Sequence, residues 1–402
     1  MPLDEGHRRI APAGERRLLQ SGMAQTFDVC IRGAGVVGRT LALLLARERL
    51  RVALVGSPTT DAAPAAADIR AYALNAASRS LLESVRSWPD AMHATAVRQM
   101  EVHGDQSGRV TFDAARQSTD ALAWIVDVPA LEARLAEAVR FQPQVELVPT
   151  PVPAPLTVIC EGRASSTRQE LGVEFDVTPY AQHAIATRLH CERPHGQVAR
   201  QWFLPDGVLA FLPLDGAEGN SVAVVWSVPQ EQAAERMALD AETFAHRLQD
   251  ASQNALGTLQ QVGGRACWPL QQARARRWCG AMPVQPAKGA QRTWVLAGDA
   301  AHTVHPLAGQ GLNLGLADAD ALARLLRERD YWRSIGDMRL LRRYERERKA
   351  GLLPLGLTMD GLQQLFARTE APVQAVRNWG MQGFQLSGPL KDWVATRAMG
   401  LR

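Results

Sequence analysis

Three stretches of this chain predict an α/β fold with a mostly antiparallel sheet inserted into it and a helical C-terminal segment. The first is an apolar strand at 27–32 followed by Gly33-Ala34-Gly35-Val36-Val37-Gly38, a helix from about Thr40 and a second strand at 51–55. The second lies between about 175 and 270, where apolar runs such as Ser221-Val-Ala-Val-Val-Trp-Ser227 read as antiparallel strands. The third is Val295-Leu-Ala-Gly-Asp-Ala-Ala-His302, which continues through Gly309-Gln310-Gly311 to Leu316.

The β-α-β unit at 27–55 is a nucleotide-binding arrangement. Gly33 permits the turn, Gly35 lets a pyrophosphate approach the backbone, and Gly38 lets the helix pack on the strand. An acid should end the second strand and hold a ribose. This chain has Gly56-Ser57 there, so an adenosine end must be held differently. Residues 57–67 are rich in Pro and Ala and read as a loop. Several prolines surround a short strand at 145–148, and a strand at 156–160 leads into a turn at Glu161-Gly162. After the antiparallel insertion the chain returns to the first domain at about Gly280. A buried strand at 294–297 then ends in a tight turn through Gly298, with Asp299 where strand meets loop. Gly309 and Gly311 open a long helix from about Leu312. Glycines there allow backbone N–H groups close to a ligand, and the helix N-terminus favours an electron-rich group.

At 402 residues the chain can bury a substantial core in two closely joined domains. An apolar fraction of 46% and a charged fraction of 21% are those of a soluble globular protein. The net charge of +4 does not call for nucleic acid. Basic residues crowd 324–349, but Glu328, Asp330, Asp337, Glu345 and Glu347 interleave with them, as on solvated helices with internal ion pairs. Five cysteines without a CxxC pair read as thiols in a reducing compartment. His302 and His305 lack a nearby third ligand, so no metal site is expected. No run approaches a transmembrane helix. Residues 1–22 are polar and basic without the apolar core of a signal peptide; they read as a disordered extension, with Met23 as the true start.

Together the two glycine motifs resemble the flavoprotein aromatic hydroxylases with the p-hydroxybenzoate hydroxylase fold and, more narrowly, the ubiquinone-biosynthesis hydroxylases. The resemblance covers about residues 25–402. It includes Asp68-Ile-Arg70-Ala-Tyr-Ala-Leu74, Cys160-Glu-Gly-Arg-Ala-Ser-Ser-Thr-Arg168, and the stretch from Gln201 to Leu214. It implies a Rossmann-like FAD-binding domain at 23–175 and 271–350, a substrate domain at 176–270 and a C-terminal helical segment at 351–402. The chain departs from the family pattern at four places. Glu161 stands for an Asp, Val128 stands where relatives carry Asn or Gln, Arg32 precedes the first glycine, and Gly56 replaces the acid.

The resemblance further implies noncovalent FAD and insertion of one oxygen atom from O2 into an aromatic ring. Gly33, Gly35 and Gly38 would approach the pyrophosphate, with Arg70 reaching toward the phosphates and ribityl chain. Glu161 and Gly162 belong to the cofactor loop. Gly298 and Asp299 would meet the ribityl hydroxyls. Gly309 would belong to the cofactor-binding loop, Gly311 and Leu312 would present N–H groups to the pyrimidine carbonyl, and Asn313 would position that loop. Pro306, His305 and Gln310 would line the flavin face where oxygen reacts. Electrons would come from NAD(P)H or a redox partner. The implied substrate is a polyprenylated phenol or quinol, met in the cytoplasm at the inner face of the membrane or within a biosynthetic complex. The Leu-rich stretch 352–366 fits either core packing or contact with a membrane or lipid-carrying partner. A soluble aromatic substrate is one alternative, and a weakly active assembly subunit another. A halogenase is disfavoured, because the region around Trp124 does not make the W-x-W-x-I-P pattern.

Overall fold

The computed structural model describes residues 26–56, 68–104, 108–286, 291–304 and 311–367, with side chains as far as Leu352. The expectations for 1–22, 57–67, His305, Pro306, Gly309, Gln310 and 368–402 lie outside the described residues.

Strand β1 (Val29–Arg32) leads through Gly33 and Gly35 into helix α1 (Val36–Arg47), and β2 (Val52–Val55) follows. They belong to a six-stranded sheet in the order Cys279–Ala281, Thr293–Leu296, Leu156–Ile159, β1, β2, Val145–Val148. Its neighbours pair in parallel except Cys279–Ala281, which runs antiparallel to Thr293–Leu296. The sequences VALV, LTVI and TWVL are apolar but for the buried Thr157 and Thr293, because parallel strands are covered on both faces. One core joins these strands to α1 and to the helices Val128–Arg140 and Gly311–Arg327 through residues such as Leu41, Leu131, Leu316 and Leu322.

An eight-stranded sheet is built on two long strands, Phe175–Cys191 and Leu259–Ala275, which pair antiparallel along most of their length. One face packs Ile185, Trp202, Phe211 and Trp226 under the helices Gln230–Ala238 and Ala241–Ala251, through Phe244 and Leu248. The other face sets Ala199 and Ala223 against Val97 and Ile125 of a three-stranded sheet. The large sheet also takes in Gln99–His103 and Arg109–Asp113, which the sequence places with residues 23–175. Their alternation is too polar and too short to read as sheet from sequence.

The described C-terminal part of the chain is helical, as the sequence predicts. One helix, Met338–Ala367, runs unbroken through position 351. Its first half seats Leu341, Tyr344 and Leu352 in the main core.

Candidate active site

The sheet order brings together sequence motifs that are far apart. Gly33 ends β1, Gly56 ends β2, Glu161-Gly162 follow Leu156–Ile159, and Gly298-Asp299 follow Thr293–Leu296. These four strands are adjacent and parallel. The motifs therefore line one rim, at the carboxyl ends of the strands, where open α/β sheets bind ligands.

Each glycine at the first turn has a different task. Gly33 has φ +110°, and a Cβ there would lie 2.4 Å from the Cys160 carbonyl oxygen. A Cβ on Gly38 would lie 1.9 Å from the Gly33 oxygen, so α1 packs against the turn only with glycine at this point. Around Gly35 nothing lies within 4 Å of a Cβ, and the residue is exposed at the start of α1. Two glycines close the fold and the third leaves an open cradle at a helix N-terminus, which suits an anionic group. Gly162, with φ +76°, and Gly311 likewise have open space where a Cβ would stand. These features fit the pyrophosphate and ring system of a flavin dinucleotide.

Asp299 sits half-buried in the short turn Gly298–Ala300. Among the described residues its carboxylate takes part in no hydrogen bond. Burial pushes its carboxyl up, opposed by the charges of His302 and Arg163. An acceptor of this kind is suited to hydroxyl donors from a ligand.

The turn itself is gripped at both ends. The Gly298 N–H donates to Asp318 Oδ2 at 2.8 Å, and Arg168 Nη1 donates to the Ala300 carbonyl at 3.1 Å. Asp318 is fully buried and also accepts from His302 Nε2 at 2.7 Å and Arg348 Nε at 2.6 Å. Burial alone would raise its carboxyl, but His302 and Arg348 together hold it below the usual range. His302 is buried and stacked on Trp278, with centroids 5.1 Å apart. Its place is therefore in the core beneath the turn. No motif in the sequence points to Asp318 or Arg348.

The remaining expected residues have partners of their own. Asn313 is buried; its Oδ1 accepts from the Asn75 N–H and Ser78 hydroxyl, and its Nδ2 donates to the Ala73 carbonyl. It thereby fixes the start of Gly311–Arg327 against Ala71–Leu74. Arg70 is exposed, bonded to Asp68 and within 3.5 Å of Glu132. Glu161 accepts from Ser165, from the Thr167 hydroxyl and from the Thr167 N–H, and Arg32 pairs with it at 3.0 Å. Burial raises the Glu161 carboxyl, but those bonds and Arg32 outweigh it and hold the group down. Val128 is buried, and its N–H donates to the Arg70 carbonyl. Leu312 is half-buried beside Asn313. No His, Cys, Asp or Glu cluster fit for a metal occurs among the described residues.

Residues 138–352 match the family described as FAD binding domain. The chain is 31% identical to the 3-demethoxyubiquinol 3-hydroxylase of Escherichia coli (strain K12), covering 94% of this chain and 99% of that protein. It is 31% identical to the ubiquinone hydroxylase UbiL of Rhodospirillum rubrum, with 93% and 89% covered. It is 26% identical to the mitochondrial ubiquinone biosynthesis monooxygenase COQ6 of Danio rerio, with 96% and 93% covered. Among solved structures the fold is similar to p-nitrophenol 4-monooxygenase PnpA from Pseudomonas putida DLL-E4, at TM-score 0.71 and 18% identity over 94% of this chain and 99% of that one. It is also similar to PqsL from Pseudomonas aeruginosa, at TM-score 0.63 and 22% identity over 89% and 100%. Likeness that runs through nearly the whole of both chains makes this chain a member of the FAD-dependent ubiquinone-biosynthesis hydroxylases, a flavoprotein monooxygenase with FAD as its cofactor.

Proposed function

We propose that the chain inserts one oxygen atom from O2 into the ring of a polyprenylated phenol or quinol intermediate of ubiquinone biosynthesis. The observation that carries this reading is end-to-end similarity to the Escherichia coli hydroxylase, whose name states a ubiquinol ring as its substrate. FAD, when bound, supplies the activation of O2, and the protein supplies orientation and donors.

The residues divide the work. Gly33, Gly35 and Gly38 admit the pyrophosphate to the start of α1. Arg70 turns toward the phosphates, since exposed ion pairs such as its own with Asp68 cost little to open. Asp299 accepts from ribityl hydroxyls. With FAD bound, the N–H groups of Gly311 and Leu312 would face the pyrimidine carbonyl and stabilise negative charge there, with Gly309 in the same cofactor loop, while Asn313 holds the helix start in place. Glu161 shapes the loop that carries Gly162. Pro306, His305 and Gln310 would line the face of the flavin where oxygen reacts. Electrons come from NAD(P)H or a redox partner.

A long apolar tail on the substrate would gain roughly 25 cal/mol per Å2 removed from water. Binding should therefore favour the prenylated ring far over the bare one. No helix among the described residues is long and apolar enough to cross a membrane. The enzyme would meet its substrate from the cytoplasm, as a peripheral protein at the inner face of the membrane or in a biosynthetic complex.

The test is deletion of the gene in a strain without overlapping hydroxylases, followed by quinone analysis. Loss of ubiquinone with accumulation of a ring precursor is the expected result. Normal ubiquinone without a precursor rejects the pathway, and a soluble aromatic becomes the substrate to seek. Purified protein without flavin colour would instead favour an assembly subunit.

A further inference from the structure

The grip on the Gly298–Ala300 turn has a role beyond holding the core together. Asp299 is bracketed: its preceding residue donates to Asp318 and its following residue accepts from Arg168. Asp318 comes from the helix Gly311–Arg327 and Arg348 from the helix Met338–Ala367. Arg348 also donates to the Leu314 carbonyl at 3.3 Å, so it braces the first turns of the helix whose start carries Gly311 and Leu312. Gly298, at φ +63°, and Gly315 both sit against Val37 of α1; a Cβ on Gly315 would approach the Val37 side chain to 2.8 Å. The two loops expected to meet the flavin thus share one buried charged centre.

Burying a carboxylate is expensive unless it is fully paired, and a well-packed apolar residue often serves stability as well or better. A buried Asp with three donors therefore calls for a reason other than stability. We propose that Asp318, held by Arg348 and His302, is a positioning residue that presets both the Asp299 turn and the helix start at Gly311 for FAD. This rests on the reading of Asp299 as the acceptor for the ribityl chain.

The charges around this centre are known. His302, Arg163 and Asp318 act on Asp299, and Tyr72 lies within its electrostatic reach. His302 and Arg348 face Asp318, and Cys160 and Tyr344 lie near it. Asp318 is the negative neighbour that helps hold the Asp299 carboxyl up. Removing its charge should let Asp299 ionise at lower pH.

The experiment is FAD titration of the full-length apoprotein across pH 4–8, with melting temperature followed in parallel. Asp318→Asn is expected to raise Kd for FAD at neutral pH about 10- to 100-fold, the scale on which losing a group that orients a metal ligand weakens metal binding. The acid side of its affinity profile should move to lower pH. A core-stability role alone predicts a lower melting temperature with Kd and the acid side both unmoved, and that result overturns the proposal. Arg348→Met and Arg348→Lys guard against misfolding of the first variant. The Met variant should weaken FAD and the Lys variant restore most of the affinity. Equal affinity in all three proteins overturns the proposal as well. If Asp299→Ala binds FAD as the parent does, the reading of Asp299 fails instead, and this inference fails with it.

Discussion

Arg32 and Glu161 face each other at 3.0 Å across the ends of adjacent parallel strands. Both positions depart from the family pattern, and the two departures are in contact. An arginine before the first glycine, mostly buried, would keep only the more distant Glu170, at 3.6 Å, if the family's shorter Asp stood opposite. The longer Glu161 reaches Arg32 while still accepting from Ser165 and Thr167. The substitutions are therefore best understood as one exchange.

A double-mutant cycle with Arg32→Met and Glu161→Gln should give a coupling of about 1 kcal/mol, within the range for contacting charged neighbours. Urea unfolding of the four proteins measures it. A coupling near zero would show that the two changes are independent.

The three glycines of the first turn should separate fold from cofactor. Gly33→Ala must adopt a strained backbone and meet the Cys160 carbonyl, and strain of that kind alone costs on the order of 1–3 kcal/mol. Gly38→Ala should lose at least as much by pushing α1 off the turn. Gly35→Ala has free space around it, so its melting temperature without FAD should match the parent, while FAD affinity falls. Calorimetry and FAD titration check this. A stability loss in Gly35→Ala equal to that of Gly33→Ala would reject the division of roles.

Asp299 gives FAD affinity a pH dependence. Its carboxyl titrates above the ordinary carboxylate range because of burial, and the ionised form is the stronger acceptor. Affinity should hold near neutral pH and weaken as pH falls through that raised value. Asp299→Asn should bind more weakly at neutral pH and lose most of this dependence. A parent and variant with parallel profiles would assign the pH effect to another group.

Stability should carry a pH signature of its own from Asp318. Its folded pKa is depressed relative to an unfolded Asp. The stabilisation is present above the unfolded value and is lost as pH falls through the folded one. Asp318→Asn should therefore flatten the acid side of a plot of melting temperature against pH. An unchanged acid side would mean that other carboxylates govern acid unfolding.

Sequence reasoning reached the rim of the site because glycine carries its own signal. A strand, GxGxxG and a helix leave few other readings for Gly33, Gly35 and Gly38, and Gly298-Asp299 repeats the logic at a second strand end. It missed the centre beneath the rim. In the sequence Arg348 reads as part of the solvated charge run between 324 and 349. Several members of that run do behave so, as in the pairs Arg324–Glu328, Arg333–Asp337 and Lys349–Glu345. Yet Leu341, Tyr344, Arg348 and Leu352 fall on one stripe at helical spacing, and Asp318 lies on the stripe of Gly315, Leu322 and Leu325. A lone charge on an otherwise buried stripe was the available signal. The partner of each charge, thirty residues away, was not, because no local pattern encodes a contact between two helices. The strands Gln99–His103 and Arg109–Asp113 escape sequence reading for a similar reason: Gln99–His103 enters the large sheet by a non-local pairing with Val198–Leu204, and Arg109–Asp113 joins only through Gln99–His103.

The strand order also fixes when the cofactor can first be held during synthesis. Thr293–Leu296 inserts beside Leu156–Ile159, and the turn carrying Asp299 exists only after that pairing. At about 5–20 residues per second, the ribosome needs on the order of ten seconds to pass from one strand to the other. During that interval Leu156–Ile159 is an open, apolar sheet edge of the sort that invites wrong partners. The nascent chain meets that hazard before any flavin can stabilise it, so the yield of folded enzyme should depend more on chaperone protection of the growing chain than on how much FAD the cell contains.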